Sequence, residues 1–406
     1  MDHLPYGTPP RRWESLLWPR FIRVIRRPRI WWARRTTGLC RVEVRGLEHV
    51  RRALEQGHGV LITPKHAGHG DAFVMLFAAD ELGRPFQYLV GWQVFRLLGW
   101  LGARILQRHG CFSIDRESND FRAFRQAVEV VQTGAHPLVV FAEGEVYHNE
   151  SWVAPFRPGA AAIALAAAKR AGRPVVCIPA AIHYQYLDDP TPQLLRLMET
   201  LERKILWRPR PDLPLPARLA CFAHALLSLR ELEHLGAVQA GEIPDRIAAL
   251  NEAILRRLED RYRPSAPESD VPGRATQLRH QVIELREGLP PADPQRRCCD
   301  EDMDELELVV QLFSYVHDYR SGLPSLEHQG EILDKFEEDV LGAPTAGVRG
   351  AKRATLVFGE PVEVRRRNGK KEETRALTEV LHGRVQELLD GLVGVAGPTT
   401  PSPVPV

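Results

Sequence analysis

The chain has 406 residues, which is enough for two ordinary domains or for one domain with a long insertion. Hydrophobic residues make up 44% and charged residues 26%, so the composition is globular and excludes wholesale disorder. The formal net charge of +2 excludes a nucleic-acid-binding protein that relies on bulk charge, and we predict no nucleic-acid partner.

The apolar runs and the cysteines indicate where in the cell the protein is located. No apolar run is long enough for a transmembrane helix, and the N-terminus does not have the pattern of a secretory signal. The six cysteines include no CxxC pair, which favours a reducing compartment. We therefore expect a cytoplasmic protein.

The N-terminal segment is basic and rich in tryptophan. Residues 11–35 contain nine Arg and four of the eight Trp, and Pro19 and Pro28 are expected to divide them into short helical pieces. Trp and Arg together suit the headgroup layer of a membrane, so we predict that residues 1–39 are an amphipathic membrane-surface segment. The alternative is a basic helical arm that packs on its own domain.

From residue 40 onwards the pattern alternates between strands and helices. Strands are predicted at Val42–Val44, Val60–Thr63, Gln87–Val90, Phe112–Ile114, Leu138–Phe141 and Pro174–Ile182. Helices are predicted at Ala72–Leu82 and Gln93–Leu106, between 119 and 134, and from Pro158 to Gly172. This order predicts an α/β fold, a layered sheet flanked by helices.

The second half of the chain changes to a helical pattern and then returns to strands. Residues 190–350 are helical with breaks at proline and glycine, which predicts a large helical insertion. Strands at Ala354–Phe358 and Pro361–Val364 and a helix at Thr374–Leu392 close the domain. The predicted boundaries are 1–39 for the N-terminal segment, 40–189 and 351–393 for the α/β domain, 190–350 for the insertion and 394–406 for a Pro-rich disordered tail.

One segment with candidate catalytic residues lies where a predicted strand ends and a helix begins, the usual ligand-binding position of an open α/β sheet. His66 and Asp71 would not face each other on a continuous helix, but they can across a glycine-containing loop. A carboxylate on one imidazole nitrogen raises the basicity of the other, so this pair could deprotonate a hydroxyl. A metal site of His66, His69 and Asp71 is the alternative; we predict no metal, because no second cluster with ligand spacing follows.

Two more strand ends carry charged residues. The strand after Gly110 ends in Asp115-Arg116, which could present a guanidinium to an anionic substrate group or form a surface ion pair. A buried-type strand ends in Glu143-Gly144, where a carboxylate lies beside a flexible glycine. Residues 156–159 then open an Ala-rich helix, whose N-terminus is a further possible anion site.

In order and spacing, these segments resemble the motifs of the glycerolipid acyltransferase family, which includes the lysophosphatidate acyltransferases. The matching residues are His66 and Asp71 in the His-x4-Asp motif, Gly110, Phe112, Asp115 and Arg116 in the second motif, Phe141, Glu143 and Gly144 in the third, and Ile178 and Pro179 in the fourth. The resemblance covers residues 40–187 and 351–393.

The resemblance implies acyl transfer from an acyl-CoA or acyl-carrier-protein thioester to a hydroxyl, with no cofactor besides that co-substrate. His66 would be the general base and Asp71 its orienting partner. Substrate binding would fall to Gly110, Arg116, Glu143 and Gly144. A direct transfer needs no nucleophilic Ser or Cys, and the sequence has no G-x-S-x-G elbow.

We therefore expect an O-acyltransferase of phospholipid biosynthesis that acts on a lyso-glycerolipid similar to 1-acylglycerol-3-phosphate. Its partners would be acyl-CoA or acyl carrier protein, the lyso-lipid and a membrane surface. Its place would be peripheral or monotopic, on the inner face of the cell membrane.

Departures from the family motifs leave two alternatives open. Glu145-Val146 stands where the family usually has Thr-Arg, Ala142 replaces a Pro, and Lys65 replaces the Asn before the His. A phosphate-contacting cation is lost and a negative charge is added, which favours a different acceptor such as a lyso-aminolipid or another long-chain alcohol or amine. The other alternative is a non-catalytic lipid-binding relative whose insertion recruits a partner.

Overall fold

The computed structural model describes residues 11–117, 120–149, 151–170, 172–264, 270–320, 325–365 and 371–395. Residues 1–10 of the predicted N-terminal segment lie outside the described residues. So does the predicted Pro-rich tail from residue 396 onwards.

One mixed sheet of eight strands is formed by the described residues, and the predicted α/β class is confirmed. The strands are β1 (Leu39–Arg45), β2 (Gly59–Pro64), β3 (Gln87–Gly91), β4 (Cys111–Ile114), β5 (Leu138–Val139), β6 (Val175–Tyr186), β7 (Lys352–Phe358) and β8 (Val362–Glu363). Their order is β1-β7-β6-β2-β5-β3-β4, with β8 also paired to β6. β6 runs antiparallel to β7 and β8, and the other pairs are parallel.

Helices surround this sheet and fill the long connection between β6 and β7. They are α1 (Pro19–Val24), α2 (Arg26–Thr37), α3 (Leu47–Glu55), α4 (Asp71–Leu82), α5 (Trp92–Leu97), α6 (Gly99–Arg108), α7 (Phe121–Thr133), α8 (Gly159–Arg170), α9 (Thr191–Ile205), α10 (Leu215–Leu235), α11 (Ile243–Tyr262), α12 (Val271–Gly288), α13 (Gln295–Arg320), α14 (Leu326–Leu341) and α15 (Lys371–Val395).

The central strand β2 is buried along its whole length because helices cover both faces of the sheet. Successive side chains point to opposite faces, so Ile62 packs with α3 and α4, whereas Leu61 packs with α7 and α8. The two apolar layers hold the ends of β2 and its neighbours in fixed positions.

Two helix boundaries differ from the sequence prediction. The single helix predicted at Gln93–Leu106 is two helices, α5 and α6, because Gly99 adopts a left-handed φ of +65° at the junction. Near the N-terminus, Pro28 lies in the first turn of α2, where its missing N–H has no helical partner to lose. The interruption falls instead at Ile25, between α1 and α2.

The N-terminal residues pack on the sheet domain and also expose large side chains. Trp13 stacks on Phe95 with a centroid distance of 5.0 Å, and Ile22 and Ala33 are buried. Trp31 in α2, by contrast, is 61% exposed. The packing agrees with the alternative of a basic helical arm on its own domain, and the predicted contact of the exposed rings with a membrane stays a prediction.

Between β6 and β7, the described residues form the six helices α9–α14 and no strand. Tyr186 at the end of β6 pairs with Lys352 at the start of β7, so this connection leaves and re-enters the sheet at one point. The six helices share an apolar core that also includes Tyr147 and Ala154 from the loops after β5. Within the described part of the chain, no helix has the length and hydropathy to span a membrane.

Candidate active site

The candidate site lies at the edge where parallel strands end. β2, β5, β3 and β4 run in the same direction, so their carboxyl ends meet at one edge of the sheet. The loops that follow β2, β4 and β5 carry His66, Arg116 and Glu143 respectively. The parallel order explains why residues distant in sequence share one site.

The side chains of His66 and Asp71 are in direct contact. Asp71 is the first residue of α4 and is fully buried, and its Oδ2 lies 2.8 Å from Nδ1 of His66. The backbone N–H of Gly68 also donates to Oδ2 at 2.9 Å, and the hydroxyl of Tyr184 donates to Oδ1 at 2.7 Å. With its carboxylate held in this way, Asp71 favours the tautomer with the proton on Nδ1, so that Nε2 of His66 is the basic nitrogen.

Glu143 positions the loop that carries His66. Its Oε1 accepts a hydrogen bond from the backbone N–H of His66 at 2.6 Å, and its Oε2 accepts one from Ala154 at 3.0 Å. The imidazole of His66 stacks on Phe141, with ring centroids 4.2 Å apart. Burial raises the pKa of Glu143 to about 7, although the nearby Lys65 ammonium acts in the opposite direction.

Lys65, which replaces the usual Asn, is a fully buried cation below the loop. Its Nζ donates to the backbone carbonyl of Asn149. Burial and, second, the charge of Lys65 lower the pKa of His183 to about 4, which keeps that imidazole neutral. Lys65 therefore links the His66 segment to the loop that follows Glu143.

Glu145 is surrounded by three arginines. Its carboxylate lies 3.1 Å from Arg116, 3.2 Å from Arg157 and 3.9 Å from Arg279 of α12. Burial by itself would raise the pKa of Glu145, but the three guanidinium groups outweigh it and hold this pKa at about 2. The added negative charge noted in the sequence is thus compensated inside the protein.

The two predicted glycines have different surroundings. Gly144, at φ +79°, lets Arg157 approach so closely that an added Cβ would lie 2.5 Å from Nε, and its carbonyl accepts a hydrogen bond from Arg116. Gly110, at φ +88°, turns the chain between α6 and β4 and is not among the residues that line the cavity described next. Its conformation explains the glycine without a substrate contact.

A cavity of about 1500 Å³ opens beside these residues. Its polar end includes His66, Arg116, Glu143, Gly144 and Arg157, and Asp71 lies behind His66. Much of the remaining lining is apolar and comes from α1, α2, α4, α6 and the α5–α6 junction, with Phe21, Trp31, Trp32, Phe73, Leu76, Leu98, Leu101 and Ile105. The strands β3 and β4 and the helices α7, α8 and α12 also contribute to the lining, and α12 belongs to the helical connection. Such a cavity suits a long alkyl chain whose polar end reaches His66.

The cavity contains one thiol, that of Cys111, among its lining residues. Burial raises the pKa of this thiol to about 12, so the nucleophilic thiolate is strongly disfavoured at neutral pH. Cys111 is therefore a poor candidate for a nucleophile.

Several residues that contact the site were not predicted from the sequence. Tyr184 is an ordinary strand residue in the sequence, and Arg279 belongs to the distant insertion, so no local pattern indicates either. Arg157 follows Phe156 in a segment noted only as a possible anion site. His69 turns away from the His66–Asp71 pair and contacts Glu338, so the metal site considered from the sequence is not assembled.

Comparison with known families agrees with this geometry. Residues 41–183 match the family model described as Acyltransferase. These residues form an acyltransferase domain of the glycerolipid acyltransferase family. The prediction of an acyltransferase enzyme is thereby confirmed. No curated protein matches the chain. The matched range includes His66, Asp71, Arg116 and Glu143, and the catalytic and binding roles of these residues remain predictions.

Proposed function

We propose that this acyltransferase moves a fatty acyl group from acyl-CoA or acyl carrier protein to the hydroxyl of a lyso-glycerolipid, as a step of phospholipid biosynthesis at a membrane surface. The observation that carries the proposal is the position of His66. Its Nδ1 is held by Asp71, and the ring lines the polar end of a large apolar cavity.

The proposed reaction is a direct transfer. Nε2 of His66 takes the proton of the acceptor hydroxyl as that oxygen attacks the thioester carbonyl. The tetrahedral intermediate then collapses, the C–S bond breaks, and the proton passes from the imidazolium to the leaving thiolate. Asp71 stabilises the imidazolium between these two steps.

The apolar part of the cavity supports a fatty acyl substrate. Each buried methylene of a bound chain would contribute about 0.8 kcal/mol to the binding free energy. A long chain would therefore bind mainly through its buried apolar surface and not through specific polar contacts. Phe73 and Leu76 of α4 line the cavity in the same helix that begins with Asp71, which would place the chain close to the proposed base.

Membrane association is supported by the exposed apolar side chains at this cavity. We call Trp31, Trp32, Leu98, Trp100 and Leu101 the mouth surface. All five are exposed, and all except Trp100 also line the cavity. The arginines of α1 and α2 lie in the same segment as the two tryptophans, a combination that suits an anionic headgroup layer. A lipid could then enter the cavity from the membrane.

The test is an acyl-transfer assay with purified protein on liposomes. Acyl-CoA and acyl carrier protein are offered as donors, with lysophosphatidate, lysophosphatidylethanolamine and lysophosphatidylcholine as acceptors, and both thiol release and acylated lipid are measured. The His66→Ala protein serves as the blank. Thiol release without acylated lipid would contradict the transferase proposal, because it would indicate thioester hydrolysis.

An acceptor without a phosphate monoester is the second candidate, and the surroundings of Glu145 favour it. Arg116 and Arg157 line the polar end of the cavity, and both pair with Glu145, as does Arg279, so Glu145 already neutralises these cations in part. A phosphate monoester would have to compete with this internal carboxylate. Adding a lyso-aminolipid and a long-chain alcohol to the acceptor panel tests whether an acceptor without a phosphate monoester is used in preference to lysophosphatidate.

A further inference from the structure

Three possible metal ligands from three separate parts of the chain meet beside the active-site loop. His69 lies in the loop between β2 and α4, His148 follows the Glu143 loop, and Glu338 belongs to α14 of the helical connection. Nε2 of His69 is 3.0 Å and Nε2 of His148 is 3.1 Å from the same oxygen, Oε1 of Glu338. One ligand atom from each side chain lies within 4.8 Å of the others.

Ordinary hydrogen bonds do not account for the whole group. The side chain of His148 is 7% exposed, and its Nε2 makes no hydrogen bond of acceptable geometry although Oε1 of Glu338 is near. The two atoms are 3.1 Å apart, so the ring nitrogen contacts the carboxylate without an aligned hydrogen bond. A cation bound between them would satisfy both the ring nitrogen and the carboxylate oxygen.

The backbone of His148 is unusual as well. Its φ is +42°, in the left-handed region that residues other than glycine rarely adopt. Such a conformation is strained and is found mostly at functional sites. In this conformation the imidazole lies against Glu338, whose side chain is 1% exposed.

We propose that His69, His148 and Glu338 bind a divalent transition metal, with Zn²⁺ as the best match. Two imidazoles and one carboxylate are a usual zinc ligand set, and tetrahedral bonds of about 2.0–2.1 Å place ligand atoms about 3.3 Å apart. The two contacts to Oε1 at 3.0 and 3.1 Å are close to that spacing. His69 lines the cavity, so a water molecule can supply the fourth ligand.

A neighbouring backbone group orients the carboxylate. The N–H of Ala346 donates to Oε1 of Glu338 at 2.8 Å, an outer contact of the kind that fixes metal-binding carboxylates. The ion would join α14 to the two loops that carry His66 and Glu143. Its role is to fix the active-site loop, and it takes no part in the proton transfer assigned to His66.

The experiment measures binding of Zn²⁺ and Co²⁺ by the full chain after treatment with a chelator. We expect about one zinc ion per chain and an intense visible Co²⁺ spectrum typical of tetrahedral coordination. His148→Ala and Glu338→Gln should each lower the zinc affinity by at least about 100-fold, since even outer contacts are worth 10–100-fold.

Two control variants locate the ion. His66→Ala changes the other histidine of the same loop and should leave zinc binding intact. His328→Ala changes a buried histidine near Glu331 elsewhere in α14 and should also leave zinc binding intact. Loss of zinc in His66→Ala would place the ion on the His66–Asp71 pair and overturn the proposal. Equal binding by wild type, His148→Ala and Glu338→Gln would overturn it too.

Wild-type protein alone also decides the question if the ligand variants fail to fold. A weak octahedral Co²⁺ spectrum, or no uptake of either metal, means that the three side chains form only a hydrogen-bonded cluster and contradicts the proposal. Added Zn²⁺ should slow amide hydrogen exchange in residues 66–70 and 145–149 together, because one ion holds both loops. Unchanged exchange in both loops would contradict the proposed fixing role.

Discussion

His66 is held at both its ring and its backbone. Asp71 and, through it, Tyr184 orient the ring, while Glu143 accepts from the backbone N–H. As the proposed general base, His66 has to keep one orientation while a substrate arrives, and these contacts restrict both the ring and the loop that carries it.

Replacement of His66 by alanine should lower acyl-transfer turnover by about 10²–10⁴-fold, the usual contribution of a general base. Steady-state thiol release measures the loss. His136→Ala is a suitable control, because that imidazole contacts the backbone of Pro85 and does not line the cavity. If His66→Ala kept more than a tenth of wild-type turnover, the assignment of the base would be wrong.

The stability of the protein should depend on pH through Glu143. Its pKa is about 7 in the folded protein and 4.5 in an unfolded chain, so the folded state binds more protons between these values. Stability therefore falls as the pH rises from 4.5 to 7, by up to about 3 kcal/mol, and is level above 7. Urea denaturation of wild type and Glu143→Gln at several pH values measures this difference. Parallel curves for the two proteins would show that Glu143 does not titrate in this way.

Glu145 should control the choice of acceptor. In Glu145→Gln the guanidinium groups of Arg116 and Arg157 lose their carboxylate partner, so an anionic headgroup can take its place. We expect kcat/KM for lysophosphatidate, divided by that for an uncharged lyso-lipid, to rise about tenfold, as one charge-assisted contact allows. Glu145→Asp keeps the negative charge and is the matched control.

Substitution of Arg116 also tests the choice of acceptor, because it removes a cation that could bind the phosphate. Arg116→Ala should lower the use of lysophosphatidate about tenfold or more, and Arg116→Lys should restore only part of it, because an ammonium cannot form a bidentate contact. An equal loss with the uncharged acceptor would indicate that Arg116 only positions Gly144 and Glu145.

At the scale of elements, the helices α2 and α6 carry four of the five residues of the mouth surface. Because Trp13 stacks on Phe95 and Ile22 is buried, we expect that removal of residues 11–35 would disturb the sheet domain. Point substitutions on exposed positions are therefore the better test of membrane docking.

Trp31→Ser combined with Trp100→Ser should weaken binding to anionic liposomes and leave the unfolding midpoint within a few degrees of wild type, since both rings are largely exposed. Flotation at low and high salt measures the binding, and the arginines should add about 1 kcal/mol each at low salt. Trp207→Ser, which removes an 87% exposed ring from the loop after α9, is the control. Equal losses in the two proteins would argue against a specific mouth surface.

On the scale of the whole molecule, β7 joins β1 to the rest of the sheet. Among the described residues, β1 pairs only with β7, and β7 pairs with β6, so the first strand depends on a strand that follows the helical connection. The pairing of Tyr186 with Lys352 suggests a direct test of the predicted domain boundaries.

Replacement of residues 187–351 by an Asn-Gly turn should give a two-residue β-hairpin between β6 and β7. We expect the sheet to form with a lower midpoint of unfolding, because Tyr147 and Ala154 lose the apolar core that covers them. Circular dichroism and urea denaturation measure both properties. A shortened chain without cooperative unfolding would mean that α9–α14 are needed to form the sheet.

The α/β class and the acyltransferase family follow from the sequence alone. Strand ends, glycine-containing turns and helix starts are local patterns, and His66, Asp71, Arg116 and Glu143 each stand at such a position. The contact between His66 and Asp71 spans one short loop, so the spacing permits it, and the resemblance to the family motif predicts it. Local patterns of this kind survive in the sequence without knowledge of the fold.

Only the tertiary structure decided which distant residues join them. Arg279 reaches Glu145, Tyr184 reaches Asp71 and Glu338 reaches His69 through the packing of elements more than 100 positions apart. Such contacts depend on the order of strands in the sheet and on which helix faces the apolar cores select. No local periodicity encodes either property. The sequence around a charged residue is the same whether the fold buries that residue beside a partner or leaves it exposed.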